Sequence, residues 1–146
     1  MMWIRDNLDL IVSKTLEHLY IAVIALVIAC IIAVPLGIFI SKRKSLSKVI
    51  LAIASVFQTI PSLALLAIMV PFFGVGKIPA IIALVIYALL PILRNTILGM
   101  ESVDKSILDA SYGMGMSYFQ VLRKVQIPLS LPIIISGISL SAIYVV

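Results

Sequence analysis

The chain is poor in the residues that most site chemistry needs. It has one cysteine, Cys30, one histidine, His18, and six acidic residues. A lone cysteine closes no disulfide within the chain and supplies no metal set. No HExxH pair is present, and no G-x-x-x-x-G-K-[ST] loop that would cradle phosphate. No catalytic constellation, metal site or cofactor is therefore expected. Charge is scarce too, at 12% of residues against about 25% in soluble domains. The net charge of +5 forms no basic stripe on a polar domain, which argues against nucleic acid. There is no internal repeat and no low-complexity segment.

What remains is oil. Hydrophobic residues make up 63% of the chain, and they lie in runs. A run of about 18 or more with few charges predicts a membrane-spanning helix. Four are expected, at about 19–40, 49–73, 78–96 and 127–146, so the fold class is all-α, a polytopic transmembrane helical bundle. Cys30 falls inside the first run and reads as a small buried hydrophobe. Met1 to Lys14 mixes charges with apolar residues and offers no small-residue cleavage site, so the first run reads as a retained span.

Irregularities within the spans carry information. Pro35 and Gly37 are expected to bend the first. The second holds "FQTIPS", Phe57 to Ser62, near its middle. Gln58, Thr59 and Ser62 are polar at membrane depth, and Pro61 removes a helical hydrogen bond. Such features face protein or a water-filled cavity rather than lipid. Gln58, Thr59 and Pro61, with Tyr87 in the third span, are the expected pathway lining; a packing kink between helices is the competing reading. "GVGK", Gly74 to Lys77, reverses the chain. Pro79 and Pro91 are expected at the two ends of the third span. His18 beside Glu17 reads as an interfacial pair.

Orientation follows from the basic residues. "SKRKSLSK", Ser41 to Lys48, carries four of them and no acid, and is placed inside. Lys42, Arg43, Lys44, Lys48, Arg94, Lys105, Arg123 and Lys124 then lie inside, against Arg5, Lys14 and Lys77 outside. The N-terminus is expected outside.

The segment at about 97–126 is the longest polar stretch. "SVDKSILDASYGMG" reads as a short amphipathic helix, with Val103, Ile107 and Ala110 or Ser111 on one face and Asp104, Leu108 and Tyr112 on another. Gly113 and Gly115 suit a helix end. Ser117 with Gln120 three residues on is a capping-box pattern. Pro128 is expected to stop the second helix or bend it into the fourth span. Read by itself, the segment could simply rest on the lipid surface.

This segment resembles the EAA loop of bacterial ABC-importer permeases, whose pattern is E-A-A, three residues, G, nine residues, I-x-L-P. Asp109, Ala110 and Ser111 stand for the triplet, Gly115 for the glycine, and Val125, Ile127 and Pro128 for the closing residues. Gln58 to Gly99 is similar to the permeases of the glycine betaine/carnitine/choline group. The resemblance implies a multi-pass protein of the bacterial plasma membrane whose EAA loop is a cytoplasmic coupling helix. It also implies partners: an ATP-binding subunit, a second permease subunit, identical or homologous, and an extracytoplasmic substrate-binding protein. ATP hydrolysis then belongs to another chain. With a single tryptophan, Trp3, outside the spans, an aromatic cage for a quaternary ammonium is expected on the binding protein. Family members continue past a fourth span, so the end at Val146 reads as an incomplete C-terminus. A small self-assembling channel, and a truncated anchor or assembly subunit, are the competing functions.

Overall fold

The computed structural model describes residues 7–146, all helix and short connections, with no strand among them. Trp3 and Arg5 lie outside the described residues, as does the Ser62 side chain. α1 runs over Leu8–Ser41, 34 residues or about 51 Å at 1.5 Å per residue. That exceeds a hydrocarbon core of about 30 Å. The excess is the first three turns, which carry Asp9, Lys14 and Glu17, and Lys14 donates to Glu17 at 2.8 Å. The helix thus begins well before the run expected from Leu19, because these turns satisfy their own backbone and pair their charges across one turn.

α1 continues unbroken through Pro35. Its buried positions are Ala22, Ala25, Ala29, Ala33, Gly37 and Ile40, spaced by three or four and so on a single stripe. The stripe packs on the central helix, α4 (Lys77–Glu101). Small residues let membrane helices approach closely where no hydrophobic driving force exists between them. Gly37 shows how closely: a Cβ there would lie 2.7 Å from the Cβ of Thr96. The opposite side of α1, including Val23, Val27 and Ile31, is exposed and suited to lipid.

The second expected span is two helices, α2 (Lys44–Phe57) and α3 (Ser62–Phe73). Pro61 cannot donate, and it drives the residue before it out of the helical region. Its own ψ is 139°, so the expected kink is a full break at residues 58–61. After α3, Gly74 adopts φ +75°, a left-handed turn that only glycine takes without strain. Here the local signal in "GVGK" was sufficient.

Two prolines lie inside continuous helices. Pro91 does not end its span: α4 carries it inside and continues to Glu101. Pro91, Ile92 and Leu93 are all buried, and packing holds the helix together across the missing donor. The cost falls on the Tyr87 carbonyl, four residues back, which loses its helical N–H.

Of the two courses expected at Pro128, the chain takes the second and runs on into the last span. After α5 (Lys105–Gly113) and the single turn α6 (Tyr118–Val121), a π turn at Leu122–Gln126 leads directly into α7 (Ile127–Val145). The wider π ring makes room for a residue that cannot donate, and for its ring beside the preceding turn. α7 buries Ser130, Ile134, Gly137, Ser141 and Val145 against the other side of α4. Ser141 Oγ donates to the Ala88 carbonyl at 2.8 Å. A Cβ on Gly137 would come within 2.5 Å of Asn95 Cβ.

Candidate functional site

Two ion-rich faces bound the bundle. At one, the Glu17 carboxylate pairs with Lys14 and with Lys77 at the start of α4. His18 is thus not the partner of Glu17, as expected from adjacency; neighbours on a helix diverge by about 100°. Its Nε2 lies 3.1 Å from the Val146 carbonyl. At the opposite face, Lys42 Nζ sits 4.9 Å from the centroid of the Tyr118 ring, a cation–π distance. The basic loop after α1 and the polar segment before α7 therefore share a face, although many residues separate them.

On that basic face the polar segment is built from strong local signals. Asp104 is the N-cap of α5, not a member of its side face: its Oδ1 accepts from the Ser106 N–H at 2.8 Å. Those two hydrogen bonds, backbone and side chain of Ser106, lower its pKa from the ordinary 3.8. α5 ends in a Schellman arrangement. The Met116 N–H reaches the Ser111 carbonyl at 3.2 Å and the Gly115 N–H reaches the Tyr112 carbonyl at 2.9 Å, with Gly115 at φ +81°. Gly113 has no such constraint, and both glycines face open space. The capping box at Ser117 and Gln120 forms as the sequence predicts.

Asp109, Ala110 and Pro128 are exposed, Ser111 is buried with its Oγ donating to the Ile107 carbonyl, and Val125 and Ile127 are half-buried. These residues do not converge on one point. They mark the start, the turn and the return of a helical excursion whose outer surface shows Ile107, Tyr112, Met114, Tyr118 and Phe119 to solvent. The excursion is closed by a bond that sequence reading missed: Gln126 Nε2 donates to the Met100 carbonyl at 3.1 Å. Ser130 Oγ adds contacts to the Ile127 carbonyl at 2.9 Å and to Met100 Sδ at 3.3 Å.

The polar break forms the second feature. The Tyr87 hydroxyl donates to the Ile60 carbonyl, one of the groups left over where α2 stops. Thr59 turns back to the Val56 carbonyl and Pro61 is exposed, and neither borders the two cavities beside Tyr87. Gln58 and Tyr87 line cavities. One cavity, of about 170 Å³, is bounded by Gln58, Tyr87, Leu90, Pro91 and Tyr144. A larger one, of about 310 Å³, is bounded by His18, Ile21, Leu66, Ala80, Ala83, Leu84, Tyr87 and Tyr144. Tyr87 and Tyr144 are common to both. Tyr144 was not singled out from sequence, where it is one aromatic in the last apolar run. Among the described residues no cluster of His, Cys, Asp or Glu could hold a metal.

Three helices are long and apolar enough to cross a membrane, and they pack through small-residue stripes around α4: the class is a multi-pass α-helical membrane protein. Residues 25–146 match the family described as binding-protein-dependent transport system inner membrane component, and the chain belongs to that family. It is 45% identical over 142 residues to the carnitine transport permease protein of Listeria monocytogenes, covering 97% of this chain and 65% of that one. Identity to the glycine betaine/carnitine/choline transport system permease protein of Bacillus subtilis is 44%, over 100% and 67% of the two chains. The choline transport system permease protein of the same bacterium is 42% identical, over 99% and 66%. The chain spans about two thirds of the length of these relatives.

Proposed function

We propose that the chain is the permease component of an ATP-driven importer of quaternary-ammonium osmoprotectants: glycine betaine, carnitine or choline. The observation that carries this reading is the identity of 42–45% across nearly the whole chain to permeases named for those solutes. The distribution of basic residues supports a cytoplasmic position for the α5–α6 excursion and an extracytoplasmic N-terminus.

In this reading the excursion is the grip of a separate ATPase subunit. Its exposed Ile107, Tyr112, Met114 and Phe119 supply apolar and aromatic contact of the kind enriched at protein interfaces. Asp109 and Ala110 are exposed within α5, and Gly113 leaves a gap where a partner backbone can come close. Force applied there passes to α4 through Gln126 and Met100, and to α7 through the continuous π turn. A second permease subunit and an extracytoplasmic binding protein complete the assembly. Gln58 and Tyr87 line the pathway.

The test is coexpression with the ATPase and binding protein, with copurification and solute uptake as readouts. Wild-type chain should retain the ATPase, and Asp109→Arg and Gly115→Trp should each lose it while still inserting in the membrane. Uptake that persists with no ATPase bound would instead mark an autonomous pore and overturn the reading.

A further inference from the structure

We infer that Tyr87 and Tyr144 form an aromatic constriction in the pathway that selects organic cations, with Gln58 beneath it. This rests on the permease reading above and adds the chemistry of selection within the membrane chain. The two tyrosines are the residues of α4 and α7 that bound both cavities. The larger cavity begins at His18 and Ala80, beside the Glu17–Lys77 pair, and so lies toward that face of the bundle. The smaller continues to Gln58 and Pro91. Both rings border both cavities.

The walls define what can pass. No Asp, Glu, Lys or Arg side chain lines either cavity. Fixed counter-charge is absent, and an ion must be stabilised by dipoles and ring faces. The ring faces of Tyr87 and Tyr144 are the groups suited to a cation. Tyrosine faces attract cations through the ring quadrupole, and quaternary ammonium groups use this attraction because they have no N–H to donate. Pro91 adds a carbonyl, that of Tyr87, with no helical donor. The hydroxyl of Tyr87 is committed to the Ile60 carbonyl, which fixes its ring, while the Tyr144 hydroxyl has no hydrogen-bond partner among the described residues. Attraction without a carboxylate is weak, which suits a site that a solute must leave as well as enter.

The experiment is uptake of radiolabelled choline by the assembled importer in vesicles, with Tyr144 replaced by Phe, by Leu, and by mono-, di- and trifluorinated phenylalanines. Uptake should follow ring electron density: Tyr144→Leu falls about tenfold below Tyr144→Phe, and each added fluorine lowers it stepwise. Uptake independent of fluorination would overturn the inference, because a packing role does not depend on ring electronics. Fluorinated rings keep the shape of phenylalanine, so the series remains decisive if Tyr144→Leu fails to fold. Absence of all uptake by wild type would refute the permease reading separately. Saturation transfer from the purified wild-type chain to choline N-methyl protons, compared with the fluorinated variants, then judges the constriction alone.

Discussion

The side-chain amide of Gln126 donates to the backbone carbonyl of Met100 at 3.1 Å, so the last residue of the π turn holds the last full turn of α4. The excursion between them, which separates the two by 26 positions in sequence, leaves and re-enters the bundle at one point. Gln126→Leu should remove that tie and leave a partly buried carbonyl without its donor, at a cost of about 1 kcal/mol. The expected outcome is a lower melting temperature in detergent, together with reduced uptake per ATP hydrolysed at normal ATPase retention. Unchanged coupling would assign the bond to stability alone.

Gly137 tests the packing of α7 on α4. A Cβ there meets Asn95 Cβ at 2.5 Å and the Pro91 carbonyl at 3.1 Å. The second neighbour is backbone and cannot rotate away. Gly137→Ala should therefore destabilise the bundle by about 1–3 kcal/mol, read as loss of the folded fraction on titration with denaturing detergent. The smaller side chain of the pair makes the close approach, so no rotamer change elsewhere restores it.

The two glycines of the excursion should respond in opposite directions. Gly113 lies in helical backbone with open space around it, and Gly113→Ala should raise the stability of α5 by up to about 1 kcal/mol. Gly115 sits at φ +81°, where Gly115→Ala is strained by about 1–2 kcal/mol. Hydrogen–deuterium exchange over residues 105–116 checks both: slower in the first variant, faster in the second.

Asp104 makes the cap of α5 dependent on pH. Its folded-state pKa is lowered from the ordinary 3.8 by the Ser106 hydrogen bonds. The stabilisation is thus fully present above 3.8 and is lost as pH falls through the lowered value. Exchange of the Ser106 amide, corrected for its intrinsic pH dependence, should accelerate in that acidic window. In Asp104→Asn, which retains an acceptor but no titration, the acceleration should disappear.

Features with a local cause were legible in the sequence. The capping box at Ser117 and Gln120, the left-handed Gly74 and Gly115, and the interruption at Pro61 each depend on a few neighbouring residues. Those decided by packing were not. Pro91 and Pro128 carry the same local signal as Pro61, yet they lie inside helices, one sealed among buried neighbours and the other relieved by a π turn. The lining of the cavities divides in the same way. Gln58 and Tyr87 stand out as polar groups at depth, whereas Tyr144 acquires its place only when α7 returns beside α4. Thr59 and Pro61 look equally suited on paper, but one bonds its own helix and the other faces outward.

The π turn also sets how the two ends of a long helix are aimed. One extra residue in a helical repeat rotates everything after it by about 100°. Without it, the stripe Ser130, Ile134, Gly137, Ser141 and Val145 would swing off α4 toward lipid, or Tyr118 would swing away from Lys42. The turn is a phase shifter between an aqueous surface and a membrane seam, and it lets the direction of the grip and the direction of the packing be chosen separately on one continuous rod.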